Sequence, residues 1–474
     1  MIRRRLLVEG KWEEGEAFAP VHAPWDGRVV SEVAQASDEQ VERALAFAEA
    51  SRLRVAERPT FERRAVLFRM VELLRSPDRH AAMVEAIVHE AGKPRRAAET
   101  EVARAIETFT LAASELSYFG GQTLPADLNA AAAGYECETR RFAAGVVVGI
   151  VPFNFPLNLG AHKVAPALAV GCPIIVKPPP QAPSAQLLLA EIALEAGADP
   201  AAMQVLPCSN ERAEKLATDG RVRVLSFTGS ARVGWHLKAR APGKVVLELG
   251  GNAAVIVCED AAFDWAAERC AFGGFNYAGQ VCIKVQRVFV QRAVHDGFLE
   301  KLVARTRALP VGDPSKGDTV IGPVIDERSA DRISEWVQEA ISSGAGVALE
   351  GMRKGTVLGP VILTGTPREA RVAREEVFGP VMVVEPFDHF DEALERVNDS
   401  AYGLQAGVFT RDLGTVRRAF HRLEVGGVVI NDYPTFRSDN HPYGGVKASG
   451  LGREGVRYAM EDFTEERVLV TRVV

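Results

Sequence analysis

Between residues 145 and 430, short runs rich in β-branched residues alternate with longer segments of helical periodicity. The run 146–151 (Val-Val-Val-Gly-Ile-Val) has apolar side chains on both faces, which is typical of a strand buried inside a parallel sheet. Segments long enough for a crossover helix separate such runs, so the alternation predicts βαβ units. We expect a first series of strands at 146–151, 173–176, 203–206, 223–227 and 244–249, and a second series at 253–258, 285–290, 381–386, 406–409 and 427–430.

The diglycine Gly250-Gly251 separates the two series and marks the predicted junction between two domains. The sequence therefore indicates an α/β fold with two Rossmann-like parallel-sheet domains. The first domain is predicted to comprise 1–119 and 143–250, and the second 251–440.

Two segments, 120–142 and 455–474, fit neither series and contain stretches that alternate between polar and apolar residues, as strands do. Because strands with unpaired edges often pair with another subunit, we expect a small β oligomerisation arm and a homodimer or homotetramer. Residues 441–454 are predicted to bridge the second domain and this arm.

Charge and composition exclude several classes of function. The chain has 56 Lys and Arg against 62 Asp and Glu, a formal net charge of −6. No global basic field therefore favours nucleic acid or an anionic membrane, and no window of about 18 apolar residues predicts a membrane span. The six cysteines form no C-x-x-C pair and the nine histidines have no metal-ligand spacing. We therefore expect a cytoplasmic protein without a metal.

Cys282 is a candidate nucleophile. It follows Gly279-Gln280-Val281 in a short loop between a predicted helix and a predicted strand. Loops at the ends of elements expose reactive groups, although a lone cysteine is more often buried and inert. The motifs below decide between these two interpretations.

Glu248 is a candidate general base, within 247–252 (Leu-Glu-Leu-Gly-Gly-Asn). The preceding residues are apolar, so this strand is predicted to be buried. Partial desolvation of the carboxyl group would raise its pKa, as a general base requires. The alternative is an edge carboxylate that faces water.

Two turns at strand ends carry further candidates. In 151–157 (Val-Pro-Phe-Asn-Phe-Pro-Leu), prolines stiffen the chain around Asn154, whose amide either donates to an oxyanion or forms an Asx turn. In 227–234 (Phe-Thr-Gly-Ser-Ala-Arg-Val-Gly), a strand leads into a helix whose first N–H groups can hold a pyrophosphate. The second pattern is a weak signal by itself.

Together and in this order, the four motifs resemble those of the aldehyde dehydrogenase superfamily. The resemblance extends from about Pro24 to Val470. Within the superfamily, the sequence is most similar to the non-acylating branch of lactaldehyde, non-phosphorylating glyceraldehyde-3-phosphate and phosphonoacetaldehyde dehydrogenases. Further matching segments are 176–179 (Val-Lys-Pro-Pro), 375–380 (Glu-Glu-Val-Phe-Gly-Pro), 398–404 (Asn-Asp-Ser-Ala-Tyr-Gly-Leu) and 442–454 (Pro-Tyr-Gly-Gly-Val-Lys-Ala-Ser-Gly-Leu-Gly-Arg-Glu).

The resemblance implies NAD(P)-dependent oxidation of an aldehyde to its carboxylic acid. Cys282 is implied to be the nucleophile, Glu248 the general base and Asn154 the oxyanion donor. The thiolate forms a thiohemiacetal, a hydride passes to the nicotinamide, and water activated by Glu248 hydrolyses the resulting thioester. Lys163 is implied either to support Asn154 electrostatically or to lie on a helix surface.

The resemblance also assigns the first domain to cofactor binding and the second to catalysis. In the cofactor site, Lys177 is implied to bind the adenosine ribose and Glu376 the nicotinamide ribose. Gly229 and Ser230 are assigned to the pyrophosphate, and Phe378 to the nicotinamide. The full implied set is Val151, Pro152, Phe153, Lys177, Pro180, Gly229, Ser230, Leu249, Glu376 and Phe378.

Pro180 is a departure from the family's NAD-selective members, which carry a glutamate three residues after the lysine. A carboxylate at that position repels the 2′-phosphate of NADP. Its absence predicts that NADP is tolerated or preferred alongside NAD.

The implied substrate-binding residues are Phe155, Asn158, His162, Phe436 and Arg437. Asn158 and His162 are four residues apart on one helix face, and their polarity predicts a small polar or anionic aldehyde. Arg437 either pairs with a substrate anion or is solvated, and His162 either lines the site or lies on the helix surface.

Two other functions compete with this interpretation. One is a CoA-acylating aldehyde dehydrogenase, and the other is a non-catalytic cofactor-binding relative. The presence of Glu248 favours hydrolysis of the thioester over its transfer to coenzyme A.

Overall fold

The computed structural model describes residues 2–472. The helices in this range are α1 (Asp38–Ala56), α2 (Thr60–Arg75), α3 (Pro77–Ala91), α4 (Arg95–Glu115), α5 (Asn158–Val170), α6 (Ser184–Glu195), α7 (Asn210–Thr218), α8 (Ala231–Lys238), α9 (Phe263–Phe275), α10 (His295–Arg307), α11 (Glu327–Ser342), α12 (Arg371–Arg374), α13 (Phe390–Asn398), α14 (Leu413–Arg422) and α15 (Val456–Asp462).

The strands in the same range are β1 (Ile2–Arg4), β2 (Leu6–Val8), β3 (Lys11–Glu13), β4 (Ala17–His22), β5 (Val29–Gln35), β6 (Thr123–Pro125), β7 (Tyr135–Ala143), β8 (Val146–Ile150), β9 (Ile174–Lys177), β10 (Met203–Val205), β11 (Val222–Thr228), β12 (Lys244–Glu248), β13 (Ala254–Val257), β14 (Arg287–Gln291), β15 (Gly346–Leu349), β16 (Arg353–Lys354), β17 (Val357–Leu358), β18 (Val361–Thr364), β19 (Val381–Phe387), β20 (Tyr402–Gly403), β21 (Gln405–Phe409), β22 (Gly427–Ile430), β23 (Val446–Lys447), β24 (Gly450–Leu451) and β25 (Thr464–Arg472).

The first large sheet has the order β24-β12-β11-β8-β9-β10-β2-β3. Its five central strands, β12 to β10 in that order, are parallel, whereas β24 and β2 join its two sides antiparallel. Every residue of α5 is buried, since this helix packs among α2, α4 and α15 as well as against β8 and β9. The five strands expected from the first series all form, and their carboxyl ends meet at one edge of the sheet.

The second large sheet has the order β15-β18-β19-β14-β13-β21-β22. All of its strands except β15 run parallel. The strands expected from the second series are present, and the predicted α/β class with two parallel sheets is confirmed. Sequence patterning missed β15 and β18, and it missed the five short strands between residues 2 and 35, of which β2 and β3 extend the first sheet.

The two segments expected to form an arm pair with each other in a three-stranded antiparallel sheet, β25-β7-β6. The register joins Thr464 to Ala143 and Arg472 to Tyr135. Helix α15 lies within the predicted arm segment but packs on α4 and α5, because Val456 and Met460 are buried there. The strand of this segment, β25, begins after α15, and residues 473–474 lie outside the described range.

No helix between residues 2 and 472 combines the length and apolar character needed to span a membrane.

Glu101 on α4 fixes the start of α5. Its Oε1 accepts hydrogen bonds from the N–H groups of Leu157, at 2.9 Å, and Asn158, at 3.1 Å. Its Oε2 is paired with the buried ammonium of Lys93. A carboxylate at a helix N-terminus satisfies N–H groups that the helix itself cannot. The pair therefore sets the position of α5 and of the turn around Asn154 that precedes it.

We expect Glu101→Ala to lower the free energy of unfolding by about 3 kcal/mol or more, because it leaves the Lys93 charge buried without a partner. Glu101→Gln keeps an oxygen for the two N–H groups and should lose less. The exposed Glu107 on the same helix is the control, and Glu107→Ala should change stability by less than about 0.5 kcal/mol. Urea denaturation followed by circular dichroism measures the series, and equal losses for all three variants would contradict this role of Glu101.

Candidate active site

The loop that carries Cys282 has an unusual backbone. Tyr277 and Ala278 have positive φ angles of 54° and 52°, and Gly279 follows at 68°. Positive φ is unfavourable for residues with a Cβ. A Cβ placed on Gly279 would lie 2.4 Å from the Gly379 carbonyl oxygen. The loop is therefore packed tightly against the segment 375–380, which contains Glu376.

Gln280 fixes this loop through both its side chain and its backbone. Its side-chain Oε1 accepts from the Ile325 N–H at 2.9 Å, and its Nε2 donates to the Pro323 carbonyl at 3.2 Å. Its backbone carbonyl accepts a 3.0 Å hydrogen bond from Asn154 Nδ2. Asn154, the predicted oxyanion donor, and Cys282, the predicted nucleophile, are 128 residues apart in the chain. The hydrogen bond from Asn154 to Gln280 brings their two loops together.

The Cys282 side chain is half-buried, and its Sγ lies 3.3 Å from Tyr443 Oη. Burial raises the pKa of the Cys282 thiol to about 12, and the carboxylates of Glu376 and Glu248 act in the same direction. The Tyr443 hydroxyl and the Arg437 guanidinium lower that pKa. Ionisation of this thiol therefore depends on the groups placed around its sulfur.

Glu248 ends β12 and is buried, with only 3% of its surface exposed. Neither carboxyl oxygen has a hydrogen-bond partner within residues 2–472. The group lies against the chain at Gly444, where an added Cβ would be 2.7 Å from Glu248 Oε1. Burial and the nearby Glu454 carboxylate raise the pKa of Glu248 well above its usual range. The edge carboxylate facing water is therefore the wrong alternative.

Lys163 lies in a buried ionic cluster. Its Nζ donates to Thr228 Oγ1 at 2.7 Å and contacts Glu454 Oε1 at 3.4 Å. Arg437 holds the other oxygen of Glu454 at 3.0 Å. These two cations lower the pKa of Glu454 to about 2, despite its burial. The helix-surface alternative for Lys163 is wrong, and its direct partner is Glu454 rather than Asn154.

Arg437 and His162 belong to the same cluster. His162 Nε2 lies 3.0 Å from Asp439 Oδ1 and 3.1 Å from Arg437 Nη2, and the His162 ring is buried. The Arg437 side chain is only 6% exposed. Burial and the Arg437 charge lower the pKa of His162. Neither the helix-surface histidine nor the solvated arginine is therefore correct.

A cavity of about 510 Å³ lies beside Val281, the neighbour of Cys282, and is lined by residues from both halves of the chain. Three of the predicted substrate-binding residues, Phe155, Phe436 and Arg437, line it. Asn158 does not, because its side-chain oxygen is turned toward α4 and accepts from Thr108 Oγ1 at 3.3 Å. His162, buried in the ionic cluster, is also absent from the described cavity wall.

Sequence reasoning missed three basic residues of the same wall, Lys93, Arg96 and Arg104. Lys93 is paired with Glu101, and Arg104 donates to Asp439 at 2.6 Å. Arg96 is exposed and forms no ion pair with the described part of the chain. Helical spacing on α4 was available as a signal for Arg96 and Arg104, and Lys93 lies two residues before the start of that helix.

The carboxyl edge of the first sheet holds most of the predicted cofactor residues. Val151 N–H donates to the Lys177 carbonyl at 3.1 Å, and Gly229 N–H donates to the Glu248 carbonyl at 3.0 Å. Leu249 N–H donates to the Ser449 carbonyl at 3.0 Å. These backbone bonds join adjacent strand ends into one continuous rim.

The polar side chains of Ser230 and Lys177 lie along this rim. Ser230 is exposed at the start of α8 and its side chain does not cap the helix, so the first N–H groups of α8 are available to a phosphate. Burial lowers the pKa of Lys177, which forms no ion pair within residues 2–472. Pro180 is exposed and brings no carboxylate to this end of the cleft.

Glu376 lies across the diglycine. Its Oε1 accepts from the Gly251 N–H at 3.1 Å, and an added Cβ on Gly250 would be 2.1 Å from Oε2. Burial raises the pKa of Glu376 to about 7. Beside it, the Phe378 ring meets Phe153, which follows Pro152, edge-on with centroids 5.9 Å apart. A carboxylate and an aromatic pair in this cleft fit the ribose and ring of a nicotinamide nucleotide.

Lys284, two residues after the nucleophile, points away from it. Its buried Nζ donates to the Val381 carbonyl at 2.6 Å, and burial lowers its pKa to about 7. The Lys284 ammonium group is therefore held at the start of β19.

A model of the aldehyde dehydrogenase family matches residues 12–469. The chain belongs to this family. The predicted oxidoreductase class and the predicted use of a nicotinamide cofactor are confirmed at the level of the family.

Among its relatives, this aldehyde dehydrogenase is 40% identical over 467 residues to a 3-sulfolactaldehyde dehydrogenase from Priestia aryabhattai, which covers 98% of this chain and 97% of that protein. It is 34% identical over 471 residues to a lactaldehyde dehydrogenase from Methanococcus aeolicus, with 98% and 99% covered. The NADP-dependent glyceraldehyde-3-phosphate dehydrogenase from Bacillus halodurans, solved in complex with NADP, has a TM-score of 0.97 at 33% identity and full coverage of both chains. The predicted family branch is thus confirmed.

We expect Gly279→Ala in this aldehyde dehydrogenase to destabilise the fold by more than about 1 kcal/mol, because alanine at this φ is strained and its Cβ meets a carbonyl. Displacement of the Cys282 loop should also lower kcat at least tenfold, since a shift of about 1 Å at a reacting group costs up to about a hundredfold. The control is Gly297 on the exposed face of α10, where a Cβ meets nothing within 4 Å. Gly297→Ala should leave kcat unchanged and raise stability by about 0.5–1 kcal/mol. Thermal denaturation and steady-state kinetics measure both, and normal activity in Gly279→Ala would contradict the prediction.

Proposed function

We propose that the protein oxidises a small anionic aldehyde to its carboxylic acid with NAD or NADP. The observation that carries this proposal is a half-buried thiol at Cys282 with an unpartnered buried carboxyl group, Glu248, near it. A nucleophile and a base in one cleft satisfy the requirements of oxidation through a covalent acyl intermediate. The membership of the chain in the aldehyde dehydrogenase family supports the same chemistry.

In this mechanism the Cys282 thiolate attacks the aldehyde carbon, and negative charge develops on the carbonyl oxygen. The Asn154 amide has two N–H groups, and one of them donates to the Gln280 carbonyl. The other N–H, together with the backbone N–H of Cys282, stabilises the oxyanion of the thiohemiacetal. The hydrogen bond to Gln280 holds the Asn154 amide in place, so less reorientation of the amide is needed when the oxyanion forms.

The nicotinamide ring, when bound, supplies the hydride acceptor that the oxidation requires. We assign Glu376 to the nicotinamide ribose and Lys177 to the adenosine ribose, with Gly229 and Ser230 on the pyrophosphate. Phe378 would pack beside the ring. Because Pro180 places no negative charge near the adenosine ribose, the 2′-phosphate of NADP meets no carboxylate from that position. We therefore infer that NADP is accepted as well as NAD.

Glu248 then removes a proton from the water that hydrolyses the thioester. Its raised pKa suits a general base, because it is a stronger proton acceptor than an ordinary carboxylate. The anionic Glu454, held by Lys163 and Arg437, raises the proton affinity of Glu248 from nearby. This arrangement favours hydrolysis over transfer of the acyl group to coenzyme A, and addition of coenzyme A should not increase turnover.

The substrate class follows from the cavity beside Cys282. Its wall contains the four cations Lys93, Arg96, Arg104 and Arg437 and the carboxylate of Glu101. Cations outnumber carboxylates on this wall, and such an excess raises the local concentration of a ligand of the opposite sign. The relatives named for sulfolactaldehyde and sulfoacetaldehyde act on aldehydes that carry a sulfonate. We therefore propose a short aldehyde bearing a sulfonate, carboxylate or phosphate group.

We also propose that the arm built from β6, β7 and β25 joins copies of the chain into a homodimer or homotetramer. The exposed apolar side chains of Val468 and Val470 on β25 support this assembly, because they lack cover within the described chain. The cytoplasmic location expected from the cysteine pattern stays a prediction.

We expect Cys282→Ala to abolish aldehyde oxidation while it keeps the affinity for NADPH, since the thiol is the nucleophile. Glu248→Gln should still acylate Cys282 but hydrolyse the thioester slowly, so an acyl adduct should accumulate in intact-protein mass spectra after mixing with aldehyde and NADP. The exposed Glu259 provides the control variant Glu259→Gln, which should turn over normally. Steady turnover by Cys282→Ala, or absence of the adduct together with a normal rate in Glu248→Gln, would refute these roles.

We expect Arg96→Ala to raise KM for sulfolactaldehyde and succinic semialdehyde about three- to tenfold, or about 0.7–1.4 kcal/mol, because a free cation is lost from the cavity wall. KM for the uncharged propanal should be unchanged. Added salt should reduce the difference between the anionic and uncharged substrates. Arg417 is exposed and far along the chain in α14, and Arg417→Ala is the matched control. An equal change of KM for propanal would show that Arg96 does not recognise charge.

A further inference from the structure

Tyr443 is a buried residue that the mechanism above does not use. Only 4% of its surface is exposed, and its hydroxyl lies 3.3 Å from the sulfur of Cys282. When Cys282 is a neutral thiol, either atom can be the donor. When the sulfur is a thiolate it has no proton, so the Tyr443 O–H must donate to it.

The position of this hydroxyl is fixed from two directions. The Arg437 guanidinium lies 3.9 Å from the centroid of the Tyr443 ring, and Arg437 is itself held by Glu454. The Tyr443 backbone also pairs with Glu454, since the Tyr443 N–H donates to the Glu454 carbonyl at 2.9 Å and the Tyr443 carbonyl accepts from the Glu454 N–H at 2.6 Å. A cation over the ring face and a backbone bridge leave the hydroxyl little freedom to turn away from the sulfur.

Charges around the sulfur make this donor important. Glu248, from the end of β12, and Glu376, from the segment after α12, both disfavour a thiolate at Cys282. Arg437, from the loop after β22, favours it, but its charge is shared with Glu454. Burial of the sulfur opposes its ionisation more strongly than either carboxylate does. The Tyr443 hydroxyl is the neutral group in direct contact with the sulfur, and it adds no charge that would repel a cofactor or substrate.

We propose that Tyr443 is a catalytic residue that donates a hydrogen bond to the Cys282 sulfur whenever that sulfur carries negative charge. This inference rests on the proposed function, in which Cys282 is the nucleophile. The Tyr443 proton stays on its oxygen throughout, because burial and the neighbouring sulfur raise the pKa of Tyr443 well above its usual range. The group therefore stabilises the thiolate as a donor and does not transfer its proton.

The hydrogen bond acts at two points of the reaction. Before attack, it stabilises the thiolate and so increases the fraction of reactive enzyme. During hydrolysis, water adds its oxygen to the acyl carbon as a proton passes to Glu248. The carbon–sulfur bond then breaks, its electron pair stays on sulfur, and the Tyr443 O–H donates to the departing thiolate.

The test is Tyr443→Phe, which removes one oxygen atom and keeps the ring beneath Arg437. The rate of alkylation of Cys282 by iodoacetamide is measured against pH in the free enzyme. The half-buried Cys137 is the other thiol that is not fully buried, so the rate in Cys282→Ala gives the background. We expect the midpoint to move to higher pH and the alkylation rate near neutrality to fall about tenfold, and kcat to fall with it while KM for NADP stays constant.

Tyr458 on α15 is half-buried outside the site, and Tyr458→Phe is the matched control. It should keep the wild-type alkylation profile and kcat, and melting temperatures verify that both variants are folded. An alkylation profile in Tyr443→Phe equal to that of the wild type would overturn the proposal. If instead the profile shifts but the wild-type protein oxidises no aldehyde, the proposed function fails, whereas the hydrogen bond from Tyr443 to the sulfur stands.

Discussion

Two carboxyl groups, Glu248 and Glu454, share one buried region, and the chemistry of the site depends on how their charges differ. Lys163 and Arg437 both contact Glu454, which stays anionic although it is buried. Among the described residues Glu248 has no such partner, and its pKa rises. Two unpaired carboxylates in such surroundings would be prohibitively costly, so the placement of the cations decides which group is the anion and which accepts a proton.

The same cluster connects the two halves of the molecule. Lys163 comes from α5 in the first half of the chain, whereas Glu454 and Arg437 follow the second sheet. A second connection runs from Asn154 to the Gln280 carbonyl, which joins the turn after β8 to the nucleophile loop. Neither half of the chain therefore contains a complete site, and both connections must form before the thiol, the amide and the base are in register.

Fully buried strands and residues inside short motifs were accessible from the sequence. The parallel strands β8 and β13 follow continuous β-branched runs, and Cys282 and Glu248 lie in motifs whose local pattern indicates their surroundings. By contrast, β15 lies at the edge of the second sheet and β18 beside it, and both strands are partly exposed, so their hydrophobic patterning is weak. The partners of His162 and Arg437 come from residues near and far along the chain. Local periodicity therefore predicted the helix face of His162 and the loop of Arg437, but it could not predict the ionic cluster that buries both side chains.

Two cations of the cavity wall also hold carboxylates of the fold, and this limits how the substrate preference of the enzyme can change. Arg104 also holds Asp439, and Lys93 also holds the carboxylate that starts α5. Replacement of either one would disturb the fold in addition to altering substrate recognition, whereas Arg96 forms no ion pair within the described chain. Divergence toward uncharged aldehydes is therefore expected to begin at the outer rim of the cavity and to reach its floor only after compensating changes elsewhere.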